Sequence, residues 1–82
     1  MYLQDMSKLK HTRKRKSKAL NPRDKSVIKL ICSEYTSEEI GRKLEISKRT
    51  VENRVEVLFW KTGTKSRIGI VKYAIKNGIY RL

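Results

Sequence analysis

An all-α fold of four short helices is what this sequence predicts, and three observations carry the prediction. Apolar residues recur at intervals of three and four over most of residues 20–80, and no stretch alternates as a strand would. A capping residue stands before each stretch: Asn21, Thr36 or Ser37, Ser47 and Ser66. Glycines at 63 and 78 follow the third and fourth stretches, where a helix end favours positive φ. The 82 residues allow one small domain with a marginal core, so caps and contacts between copies gain weight.

The first helix is predicted from the cap at Asn21. Pro22 fits the first position, Asp24 the third, and the end should fall near Glu34. Val27, Ile28, Ile31, Cys32 and Tyr35 form its apolar face, with Leu20 packing before the cap. The second helix begins at Thr36 or Ser37. Either choice puts Glu38 and Glu39 at the positive helix end, and the Thr36 choice makes a capping box with Glu39. Ile40 and Leu44 point inward. Gly41 costs about 1 kcal/mol against Ala inside a helix, so it implies close approach of the next helix.

Glu45-Ile46 is the turn, and Ser47 caps a third helix from Lys48 to about Lys61. Val51, Val55, Leu58, Phe59 and Thr62 form its buried stripe, opposite Arg49, Glu52, Asn53 and Glu56. Helix, very short turn and newly capped helix make a helix-turn-helix, an arrangement that presents its second helix to a DNA groove. The fourth helix runs from a cap at Ser66 to Asn77, with Ile70, Val71, Ala74 and Ile75 as its apolar set.

Charge points to an anionic partner. The formal net charge is +13 and the pI about 10.3. Residues 1–20 carry seven Lys/Arg against one Asp, and residues 21–82 fourteen against seven Asp/Glu. The division expected is a basic arm or interdomain linker over 1–20 and a folded domain over 21–82. The arm reads either as a segment that follows phosphates or as a solvated linker to a further domain.

Other classes find little support. The single Cys32 and single His11 make neither an internal disulfide nor a zinc site, so no metal or cofactor is expected. No Gly-rich phosphate loop and no histidine within 21–82 suggest an enzyme. No apolar run is long enough to span a bilayer, and no signal peptide is visible, so a cytoplasmic setting without membrane contact is expected.

The segments PRDKSVIKLI, SEEIGRKLEISKRTVENRVEVL and KTGTKSRIGIVKYAIKNG resemble, in order, three blocks of the LuxR-type helix-turn-helix domain. That domain closes many bacterial response regulators and quorum-sensing activators. The resemblance implies sequence-specific binding of double-stranded DNA, at a palindromic or direct-repeat operator, by a transcription regulator. It implies a recognition helix over 48–61 in the major groove, homodimer contact through the fourth helix, and a link to RNA polymerase. Residues 1–20 would follow a receiver or sensor domain of a two-component regulator.

By position, the resemblance places Glu52, Asn53 and Glu56 at base edges. Ser37, Ser47, Lys48, Arg49, Thr50, Arg54, Lys61, Lys65 and Arg67 would lie along phosphates. Ile68, Val71, Lys72 and Ile75 would form the dimer contact. Arg54 stands where the family usually has His, and Glu45 where it often has Gly, which implies a non-glycine residue at positive φ. Asn53 reads as an adenine ligand or as an ordinary exposed residue. Glu52 and Glu56 read as acceptors from cytosine or as simple surface acids. Trp60 lies off the buried stripe, either covering the core edge or making a contact of its own.

Two further readings share these residues. One is a protein-interaction module whose acidic third-helix face docks a basic partner. The other is a sigma-factor-like promoter-binding domain, which would not predict the closing helix.

Overall fold

The structure, a computed structural model, describes residues 18–82. The basic stretch over 1–17, His11 included, lies outside the described residues. Four helices follow in order: α1, Pro22–Cys32; α2, Ser37–Leu44; α3, Lys48–Thr62; and α4, Arg67–Lys76. The described residues contain no strand.

Every helix begins at a side-chain cap. Asn21 Oδ1 accepts the Asp24 amide at 2.7 Å, and Asp24 Oδ2 accepts the Asn21 amide at 3.1 Å. Of the two starts open to α2, Thr36 is the cap. Its Oγ1 accepts the Glu39 amide at 3.1 Å, and Glu39 Oε1 accepts the Thr36 amide at 2.8 Å. Ser47 and Ser66 cap α3 and α4 by accepting the Thr50 and Gly69 amides. Each cap satisfies an amide that has no partner inside its helix, worth about 1 kcal/mol.

α1 stops two residues before the expected Glu34. Glu34 adopts φ 69°, its amide donates to the Ile31 carbonyl, and the Tyr35 amide donates to Leu30. This is a Schellman end with glutamate in the left-handed position where glycine is usual. The same motif closes α4 around Gly78, and Ile79 packs back on the core. The turn residue Glu45 also has φ 60°, as its position implied.

The core consists of Val27, Ile28, Ile31, Ile40, Val51, Val55, Leu58, Ile70 and Ala74, drawn from all four helices. α1 lies chiefly along α4, and α2 lies chiefly along α3. Full burial of each Val, Ile or Leu contributes about 1.5–3 kcal/mol. Phe59 and Thr62, expected in the α3 stripe, are half-buried at its margin. At Gly41 the reason for glycine is visible: an added Cβ would stand 2.7 Å from the Ile46 carbonyl oxygen. The turn folds back over α2 at that point, and this holds α3 at its angle.

One ion pair ties the layers together. Lys61 Nζ donates to Asp24 Oδ2 at 2.7 Å, with side chains only 12% and 14% exposed. Lys61, expected along a phosphate, is paired here with a carboxylate instead. Its ammonium turns inward and locks the end of α3 to the start of α1.

Candidate nucleic-acid interface

The site is built on α3. Its core residues Val51, Val55 and Leu58 hold one side down, so Lys48, Arg49, Glu52, Asn53, Glu56, Val57 and Trp60 are left exposed on the other. At about 1.5 Å per residue the helix is about 22 Å long, enough to lie in a major groove.

The four helix starts differ in charge. α1 carries Asp24 in its first turn, and α2 carries Glu38 and Glu39. These acids offset the positive end of the helix dipole. Neither α3 nor α4 has an acid there. Instead, Lys48 and Arg49 open α3, and Arg67 opens α4 after the exposed Lys65. Cations at a positive helix end are locally unfavourable, and a polyanion set against them relieves the conflict.

Ser47 Oγ accepts the Thr50 amide at 3.0 Å and donates to Thr50 Oγ1 at 2.9 Å. The Ser47 proton is therefore used within the cap, while the Thr50 hydroxyl keeps its own proton to donate outward. Arg54 is half-buried in a groove against Pro22, Arg23, Ser26, Leu44 and Ile46. It lies where α1 meets the helix-turn-helix.

Ser37 does not fit its expected role. It is buried, and its hydroxyl accepts a hydrogen bond from the Arg67 guanidinium. That bond joins α2 to the start of α4, so Ser37 orients Arg67. Arg67 retains further N–H donors.

Two residues of this face escaped the sequence reading as candidates. Val57, 48% exposed, lies one turn after Asn53, and helical spacing alone could have found it. Arg23 comes from α1 and shares a groove with Asn53, Arg54 and Val57. Only packing reveals that neighbour. Glu52 and Glu56 are both exposed, so the acidic pair does lie on the outward face.

α4 carries a second surface. Ile68, Val71, Lys72 and Ile75 follow one stripe, with Ile68 70% and Ile75 39% exposed. The described residues hold no cluster of three potential metal ligands. Burial pushes the Cys32 thiol above its ordinary value, so it is kept as the unreactive thiol.

A capped helix-turn-helix with its second helix exposed, its N-terminus unneutralised and a surplus of cations around it defines a DNA-binding regulator domain. The luxR family of bacterial regulatory proteins matches residues 18–74, and the chain belongs to that family. A probable transcriptional regulator, ycf29, of Porphyra purpurea is 43% identical over 60 residues, covering 73% of this chain and 29% of the relative. The response regulator Rre1 of Synechocystis is 41% identical over 58 residues, covering 71% and 25%. The oxygen regulatory protein NreC of Staphylococcus aureus is 37% identical over 60 residues, covering 73% and 28%. The chain thus matches little more than a quarter of the length of these relatives. No solved structure matches it significantly.

Proposed function

We propose that this chain is the effector domain of a bacterial two-component response regulator, binding double-stranded DNA sequence-specifically with α3 in the major groove. The carrying observation is the outward face of α3: Arg49, Glu52, Asn53 and Glu56 exposed together behind an N-terminus without acids. Asn53 has the paired donor and acceptor that match adenine, and Glu52 and Glu56 accept from cytosine N4. Lys48, Arg49, Thr50, Arg54, Lys65 and Arg67 border this face and hold phosphates, which fix register without reading sequence, while the Ser47 cap, itself expected at a phosphate, holds the Thr50 hydroxyl in place for that contact.

The α4 stripe of Ile68, Val71, Lys72 and Ile75 is proposed as the contact between copies, a two-fold seam on a palindromic operator and a head-to-tail contact on a direct repeat. Residues 21–82 are the DNA-binding unit, and residues 1–20 lead from a receiver or sensor domain, in keeping with the greater length of the relatives. RNA polymerase is proposed as a further partner. The role is one of binding without catalysis, in the cytoplasm. No helix among the described residues is long and apolar enough to cross a membrane.

The exposed pair Glu52 and Glu56 favours one alternative, docking of a basic protein on α3. Charge reversal separates the two: Glu52→Lys with Glu56→Lys abolishes partner capture under that alternative and alters base preference under DNA recognition. The sigma-factor-like reading is weakened by α4, a helix it does not predict.

Selection of bound sequences from random DNA tests the proposal. The expected motif has two half-sites about one duplex turn apart. Asn53→Ala should relax preference at one position per half-site, at about 1–3 kcal/mol. No enrichment over the starting pool would sink the proposal.

A further inference from the structure

α3 is flanked by two grooves, and Asn53 borders both. On one side lie Glu52, Glu56 and Arg67. On the other, between α3 and the start of α1, lie Arg23, Thr50, Arg54 and Val57. Asn53 therefore stands at the crest of the helix, with arginine on either flank. The α1 side brings together two arginines from different helices.

Arg23 and Arg54 also share the adjoining groove formed by Pro22, Ser26, Leu44 and Ile46. Bordering the same two grooves, they stand side by side. Among the described residues, ion pairs join Arg42 to Glu38 and Lys61 to Asp24, and neither Arg23 nor Arg54 has a carboxylate partner. Asp24 borders the groove, but its Oδ2 already accepts from Lys61 Nζ and from the Asn21 amide. Arg54 is half-buried, so water replaces its missing acceptors only in part. Two guanidiniums held together without a counter-charge repel each other, the more so where one is drawn out of water. One oxyanion between them removes that repulsion and gives each planar fork an acceptor.

We infer that Arg23 and Arg54 together grip a single backbone phosphate, with the Thr50 hydroxyl as a third donor. α1 thereby becomes a DNA-contacting helix. This inference rests on the DNA-binding reading above. The occupant is a phosphodiester of the same duplex, because the groove opens beside Asn53 on the face that meets it. Its two unesterified oxygens serve one guanidinium each. With Lys65 and Arg67 on the opposite flank, α3 is braced against both walls of a major groove about 12 Å wide.

The test uses the full chain, with affinity measured against salt on two duplexes of about 30 base pairs, one carrying the selected site and one of unrelated sequence. The variants are Arg23→Gln, Arg54→Gln and both together, with circular dichroism as the check on helix content. Each single variant should weaken binding about 10-fold on both duplexes but keep most of the salt slope, since the remaining arginine still neutralises the phosphate. The double variant should lower the slope of log affinity against log salt by about 0.9, the value for one phosphate. In the selected duplex, a neutral methylphosphonate is then placed at each phosphate in turn. One position per half-site should weaken the native chain and have little effect on the double variant. Arg23 is exposed, so Arg23→Gln carries the phosphonate measurement by itself if Arg54→Gln disturbs the helices.

An unchanged slope in the double variant would overturn the inference, as would phosphonate effects equal in native and variant chains. A slope lower by about 0.9 in each single variant and about 1.8 in the double would also overturn it, by showing two separate phosphates. A drop of about 0.9 in the double variant alone, on both duplexes and without preference between them, would uphold the shared phosphate and refute the sequence-specific function proposed above.

Discussion

Glu34 and Glu45 are held at φ 69° and 60°, a region that costs a side-chain-bearing residue about 1–2 kcal/mol. Both are exposed and neither takes part in the core. Glu34→Gly should therefore raise stability by up to about 1 kcal/mol, seen as a higher denaturation midpoint with unchanged slope. A lower midpoint would show that the glutamate side chain does something the backbone does not. Lys61 supports an opposite prediction. Its carboxylate partner Asp24 is nearly buried and already accepts the Asn21 amide, so removing the ammonium leaves a charge stranded among packed helices. Lys61→Met should cost about 3 kcal/mol of stability. The salt dependence of DNA binding should not change. A slope lower by about 1 would return Lys61 to the phosphate contact expected from its position in the sequence.

Among the elements, α2 and α3 are joined by three residues, and their crossing depends on Gly41. The atom an added methyl would meet is a backbone oxygen at 2.7 Å, which has no rotamer to escape into. Gly41→Ala gains about 1 kcal/mol in helix propensity. The clash should outweigh that gain, for a net loss of about 1–3 kcal/mol in chemical denaturation. It should also weaken DNA binding by tilting α3. A stabilised variant would show that the turn relaxes freely. α3 and α4 begin with cations where α1 and α2 begin with acids, so the two pairs of helices differ in their first turns. Such local conflicts are expected where a structure serves binding.

For the whole molecule, α4 divides its residues between the core and the proposed seam. Ile70 and Ala74 are buried, while Ile68 and Ile75 face outward on the stripe with Val71 and Lys72. Ile68→Glu should leave stability within about 0.5 kcal/mol, because most of the Ile68 side chain is already in solvent. It should abolish cooperative occupancy of two half-sites while sparing binding to one, as read by gel shift on full and half operators. Unaltered cooperativity would place the seam elsewhere. Helix existence, caps and turns were legible in the sequence because they depend on neighbours a few residues away. The partners of Ser37 and Lys61 were not: they lie thirty and thirty-seven residues off, and both residues looked like free surface donors.

By itself the sequence determined four capped helices, the helix-turn-helix and a cationic composition, through local hydrogen bonding, apolar spacing and residue counts, and its resemblance to the LuxR-type domain pointed to the family. Only the tertiary structure decided which polar groups remain free to meet DNA. It withdrew Ser37 and Lys61 into the fold, brought Arg23 beside Asn53 and Arg54, and set Lys18 on Trp60 at the outward face of α3. The physical reason is that a side chain's availability depends on what packs against it from other helices, which spacing along one helix does not encode.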